Sequence, residues 1–222
     1  MDFLKILKGF EDFIFEATSW LIFYPLTLWR VVTRPLAAME ASDREQHDAL
    51  ERQYDDGMSP PLLLLITLIL TNGLAVALHV GEVTVTSALT RYIMASVEHQ
   101  ILFRSLLFSL PPLVAAASLV HGQGKKLNRE NLRTPFYAQC YLAAPTAIVV
   151  GFGIAVAQRP DWPNLLGETV VAVGAVWFLW VQSGWFARHQ GVSRLKGLFV
   201  GTWALARAVA FAIAILIPVA LI

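Results

Sequence analysis

Cysteine occurs once in the 222 residues, at Cys140. No disulfide can form within the chain, and C-x-x-C pairs and cysteine zinc frameworks are absent. Charge is scarce as well. Charged residues make up 15% of the chain, against about 25% in soluble domains. Seventeen basic and sixteen acidic residues almost cancel, for a net charge of +1. That leaves no basic footprint for a nucleic acid. H-x-x-x-H and H-E-x-x-H spacings, which fix two metal ligands on one helical face, are missing. No nucleophile sits at a recognisable distance from a base. The sequence therefore assigns no catalytic residue, metal or cofactor, and it reads as a chain that is not an enzyme. What is abundant is apolar residues, 56% of the total, with a mean hydropathy of +0.58. This composition is that of a polytopic membrane protein, whose first partner is the lipid bilayer.

Five stretches have about the length of 20 residues that a bilayer requires. They are residues 61–80, 101–121, 136–157, 166–187 and 198–221. Barrel strands alternate apolar and polar residues, and LLLLITLIL does not. The expected fold is therefore all-α, a five-helix transmembrane bundle with an N-terminal amphipathic, interfacial region. Three parts follow: 1–39 interfacial, 40–60 an acidic connector, and 61–222 the transmembrane domain.

Met1 to Phe10 does not read as a signal peptide, because charges are mixed into its apolar residues and no small-residue cleavage site follows. Phe3, Ile6, Leu7, Phe10, Phe13, Ile14 and Ala17 recur at helical spacing, with Lys5, Lys8, Glu11, Asp12 and Glu16 opposite. This suits a helix lying in the membrane interface. A core-facing helix of a small cytosolic subdomain is the alternative. Trp20–Val32 is more apolar but is interrupted by Pro25 and Arg30. Its thirteen residues cover about 20 Å as helix, too short to cross. It reads as a shallow or re-entrant segment, with a sixth span as the alternative. Residues 40–56 carry seven acids and two arginines. Glu40/Arg44 and Asp48/Arg52 stand at i, i+4, which suits a solvated helical connector or an acidic docking face. Ser59 and Pro60 then restart a helix as cap and first residue.

The loops orient the bundle. Residues 122–135 hold Lys125, Lys126, Arg129 and Arg133, and residues 188–197 hold Arg188, Arg194 and Lys196. The other two loops hold one each, Arg91 and Arg159, so seven basic residues stand against two. The positive-inside rule places the N-terminus in the cytosol and the C-terminus outside.

Arg207 lies about 13 Å along the last span, near mid-bilayer, where an arginine costs about 2.5–3.5 kcal/mol or more. A bundle-facing arginine would need polar partners, and Asn72, Thr146 and Ser109 fall near its level. Three readings stay open: a structural polar layer, a substrate or ion path, and snorkelling to the headgroups. At the outer rim stand His79, Glu82, Glu98, His99, Arg104 and Glu168. An Arg104–Glu168 ion pair is the expected use of this group, ahead of a metal site. Ala143, Ala147, Gly151 and Ala155 stand four apart, as do Ala204, Ala208 and Ala212. Such stripes are helix-packing seams, within the bundle or toward a second copy or another membrane protein. Pro111-Pro112, Pro145 and Pro218 lie within spans. Proline is common in membrane helices, and transporters also use it to break helices at binding sites.

Arg34-Pro35 followed by Met58-Ser59-Pro60-Pro61-Leu62-Leu63, and Phe136-Tyr137 with Tyr141-Leu142 and Pro145, carry a resemblance. With a cytosolic N-terminal region and five spans, residues 34–222 resemble the Yip1-domain family of small integral membrane proteins. The resemblance implies a non-catalytic membrane scaffold, a trafficking or assembly factor. The Tyr-Gly dipeptides of the family's eukaryotic members are missing. The alternative is a small permease or transporter subunit with a polar site around Arg207. Arginine outnumbers lysine 12 to 5, and the Ala/Val-rich spans suggest a bacterial inner membrane.

Overall fold

The computed structural model describes residues 3–48, 53–77, 87–158 and 162–221. Among these residues every regular element is a helix. In chain order they are α1 (Phe3–Thr33), α2 (Pro35–Glu45), α3 (Pro60–Ala77), α4 (Ala88–Met94), α5 (Val97–Gly122), α6 (Arg129–Ala157), α7 (Asn164–Gln190) and α8 (Arg194–Leu221). Four of them, α5 to α8, are long and apolar enough to cross a membrane. The first expected span falls on α3, which is 18 residues long. Its remaining expected residues, 78–80, lie outside the described ones, as do His79, Glu82, Arg52 and Arg159.

The bundle is built around α6, against which α3, α5, α7 and α2 all pack. Ala138 to Pro145 are buried without a break. A helix apolar on every side belongs in an interior, and small side chains let its neighbours come close. Gly153 and Gly167 bring α6 and α7 together. A Cβ added at Gly167 would meet the backbone carbonyl of Gly153. Gly197 does the same for α8 against Ser183 and Ala187 of α7. Both alanine stripes are seams: Ala143, Ala147, Ala155, Ala204 and Ala208 are buried, and Gly151 faces Thr71 of α3.

Several local expectations are corrected. Pro25 does not interrupt the N-terminal segment, because α1 runs through it as one 31-residue helix. Proline removes one backbone donor, and both Pro25 and Leu21, whose carbonyl loses that donor, are exposed. In the described part of the acidic stretch the helix is short and partly packed against the bundle. α2 ends at Glu45, Met39 and Ser42 are buried, and Glu40 pairs with Arg188 of α7 rather than with Arg44. A tertiary partner displaces the local one, which was worth only about 0.2–0.5 kcal/mol. The segment before α5 was expected as loop, yet it holds α4. Ser87 caps α4 by accepting from the Thr90 amide. The Ser87 and Thr90 hydroxyls both donate to the Val219 carbonyl, at 2.6 and 2.9 Å. That carbonyl is in the last turn of α8, where no intrahelical donor remains.

α5 and α7 finish, and α6 and α8 begin, at one end of the bundle. This basic end carries Lys125, Lys126, Arg129, Arg133, Arg188, Arg194 and Lys196. α1 and α2 meet there at Arg34-Pro35.

Candidate functional site at the basic end

The expected mid-membrane cluster is divided. Arg207 is exposed on α8, and its Nη2 donates to Ser118 Oγ at 2.7 Å. Ser118 stands four residues before Gly122, the last residue of α5, or about 6 Å of helix. Helical side chains lean toward their own N-terminus, so Arg207 leans toward the basic end. Asn72 is buried in α3 and accepts from Arg104 Nη1 at 2.8 Å. Thr146 and Ser109 spend their hydroxyls on carbonyls of their own helices, Leu142 at 2.8 Å and Leu106 at 2.7 Å. Thus Arg207 reaches none of Asn72, Thr146 and Ser109.

The expected rim pair is also replaced. Arg104 takes Asn72 as its partner, while Glu168 stands exposed in the first turns of α7 and makes no ion pair with it. His99 stacks on Tyr92, with ring centroids 4.4 Å apart, and bonds its carbonyl. Among the described residues no three of His, Cys, Asp and Glu gather in an arrangement that holds a metal ion.

One polar contact in the interior was not anticipated. Gln139 of α6 and Gln182 of α7, each 2% exposed, exchange two amide hydrogen bonds of 3.1 and 2.6 Å. Each amide oxygen is satisfied by one N–H of the other, so the pair ties α6 to α7 in this layer. Two glutamines 43 residues apart carry no local signal of pairing.

The polar residues that do gather lie where α1, α2 and the turn before α3 meet α6. Tyr141 of α6 donates to the Met58 carbonyl at 2.8 Å, and the Met58 amide donates to Thr27 Oγ1 at 3.1 Å. Tyr24 meets Thr67 of α3, hydroxyl to hydroxyl, at 3.1 Å. Arg30 pairs with Asp56 at 3.1 Å. Leu36 packs on Gly184 of α7. The neighbours of α1 thus pass from α3 to the 56–58 turn and on to α6, so it crosses the bundle end obliquely. In its first half, residues 7–11 and 13–16 are all exposed.

Tyr54 fixes the turn. It has φ of +63°, an unusual value for a bulky residue. Its amide donates to Glu45 at 2.8 Å, Gln46 donates to its hydroxyl at 2.9 Å, and Ser42 lies 3.1 Å away. Burial pushes its phenol above the ordinary range, against the opposing hydrogen bonds from Ser42 and Gln46. Three bonds hold a backbone conformation that costs of order 1–3 kcal/mol.

Two cavities open beside this network. One, of about 450 Å³, lies in the angle between α1 and α2, with Tyr141 and Val31 in its floor and Arg30, Arg34 and Arg44 around it. The other, of about 720 Å³, is bounded by the ends of α2, α5 and α7 and the start of α6, and carries Lys125, Arg129, Arg133, His47 and His189 with Asp43 and Glu130. An apolar groove of about 440 Å³ runs between α6 and α7 past Val32, Pro145, Val149, Val173 and Trp177. The sequence pointed to this region through the acidic 40–56 stretch and the helix restart at Ser59-Pro60. The closeness of 53–58 to α6 depends on contacts that span more than 80 residues. Comparison with protein-family models, with curated proteins and with solved structures finds no match.

Proposed function

We propose that this chain is a non-catalytic integral membrane protein of the Yip1-like kind, a scaffold in membrane trafficking or in the assembly of partner proteins. In this reading α3 is the fifth span, the basic end faces the cytosol by the positive-inside rule, and the C-terminus lies outside. The first half of α1 lies in the membrane interface. Its exposed Phe10, Phe13 and Ile14 contact lipid, and Lys8 and Glu11 face water. The localisation that fits is a bacterial inner membrane.

The observation that carries the reading is the fixing of α1, α2 and the 54–58 turn on α6 through Tyr141, Met58 and Thr27. Bonds from buried groups make this region a platform of fixed shape instead of a tether. A small permease or transporter subunit is the second reading. It has less support, because Arg207 is exposed and bonded to Ser118, and the interior layer at Gln139 is closed.

Photo-crosslinking in native membranes tests the platform. Probes at Glu11 and Asp48 are expected to capture protein partners, and a probe at Ile213 on α8 to capture lipid. Lipid adducts alone at all three positions would remove the scaffold reading. For orientation, cysteines at the Lys126 and Trp162 positions in a Cys140→Ala background should label from the cytosol and from outside, respectively.

A further inference from the structure

The angle between α1 and α2 holds three arginines against two carboxylates, Glu45 and Asp56. Asp56 is taken by Arg30, and Glu45 accepts from the Tyr54 amide. The guanidiniums of Arg34 and Arg44 make no ion pair or hydrogen bond with any described residue. Ala37, Ala38 and Ala41 form the α2 wall, and their small side chains keep the 450 Å³ cavity open. Tyr141 and Val31 close its floor, so a group entering it meets fixed side chains. Tyr54, held at positive φ by three bonds, forms part of its rim. Two guanidiniums with no partner among the described residues, around a concave floor, match the oxygens of a phosphate, which arginine binds through paired N–H donors.

The depth of the cavity points to the source of that phosphate. Val32, two residues after Arg30, lies in the apolar groove with Pro145 and Trp177, whose lining suits hydrocarbon. Arg34 opens α2, and Glu40 of α2 pairs with Arg188 in the last turn of α7, which sets the arginines at the basic end, the headgroup level in the proposed orientation. Basic pockets at this level on the cytosolic side suit anionic headgroups.

We propose that the cup formed by Arg30, Arg34, Arg44 and the Tyr54 turn binds a phosphate group, supplied by the headgroup of an anionic phospholipid. The site does not depend on the scaffolding role. Arg34 and Arg44 are both exposed and bonded to nothing described, so replacing them leaves the packing of α1 and α2 in place.

The full chain, in nanodiscs of phosphatidylcholine alone or mixed with phosphatidylglycerol or cardiolipin, provides the test. Native mass spectrometry reads retained lipid, and thermal unfolding in the presence of inorganic phosphate reads the soluble source. Arg34→Gln and Arg44→Gln should each lower retention of the anionic lipid about fivefold, the worth of one basic residue near an anionic surface. Lys196→Gln, an exposed cation elsewhere on the basic end, should leave it unchanged, and Arg44→Lys should lose less than Arg44→Gln. Stabilisation by inorganic phosphate that vanishes in Arg34→Gln, without any preference among lipids, would keep the phosphate cup and assign it to a soluble phosphate. Equal lipid retention in wild type and both glutamine variants, with no effect of phosphate, would overturn the proposal.

Discussion

Helices α6 and α8 have the same mean hydropathy over their most apolar stretch, 2.0, yet 56% of that stretch is buried in α6 and 17% in α8. Hydropathy reports that a helix belongs in a membrane. It does not report whether the helix is at the centre of the bundle or at its edge. Side-chain size and the fate of polar groups separate the two. α6 presents Ala138, Ala143, Ala144 and Ala147 to its neighbours, and closes its one buried amide with Gln182. α8 buries Ala204 and Ala208 on one side and exposes Phe199, Trp203, Phe211, Ile213 and Ile217 elsewhere. Its one charged residue beyond the first turn, Arg207, leans along the outside to Ser118.

The largest expected effect separates these helices by volume. Gly167→Leu would drive a side chain into the α6 backbone at Gly153 and should cost about 3 kcal/mol or more. Val209→Leu on the exposed side of α8 should change little. Unfolding in detergent compares the two.

The next effect concerns polar groups. Gln139→Leu strands the Gln182 amide in an apolar layer, and the expected cost is about 1–3 kcal/mol. Adding Gln182→Leu should recover most of it, since an apolar pair of similar size leaves nothing unsatisfied. A double mutant as unstable as the single one would mean that the pair is not the reason these helices meet.

A smaller effect belongs to the basic end. The Tyr54 phenol holds its proton more tightly when folded than when unfolded. The stability it contributes is fully present below its ordinary value of about 10, and is lost as the pH rises through the raised folded value. Alkaline titration should therefore loosen the turn only above about pH 10, as read by protease cleavage near residue 54. Tyr54→Phe should remove that inflection.

The smallest effect is expected at Arg207. Arg207→Leu loses one exposed hydrogen bond and removes the cost of a charge at this depth. Thermal stability should stay within about 0.5 kcal/mol of wild type or rise slightly. A large loss would place Arg207 at the centre of the account, as in α6, and not at its edge.

The membrane class, the places of α5 to α8 and both alanine seams were legible, because composition and four-residue spacing express them directly. Ser59 and Pro60 marked the start of α3 for the same local reason. Partners were not legible. Depth counting put Arg207 beside Asn72, but depth says nothing about rotation around the helix, and α8 turns Arg207 outward. Arg104 sat among acids in the sequence and found a neutral amide in α3 instead. Glu40 had Arg44 one turn away and paired with Arg188, 148 residues on. The platform was the least visible part. Tyr141 reaches Met58 across 83 residues, and neither residue advertises the contact.

The central claim is that the interior around α6 is packed shut and that the chain works through its basic end. Accessibility of single cysteines to a membrane-impermeant maleimide addresses it directly, at Gln139, Ala143, Ala147 and Gly151 in a Cys140→Ala background. The account predicts that all four positions stay unlabelled from either side of the membrane. Labelling that runs in sequence along this stripe would reveal a water-filled path beside α6, and would contradict a sealed bundle in favour of a permease.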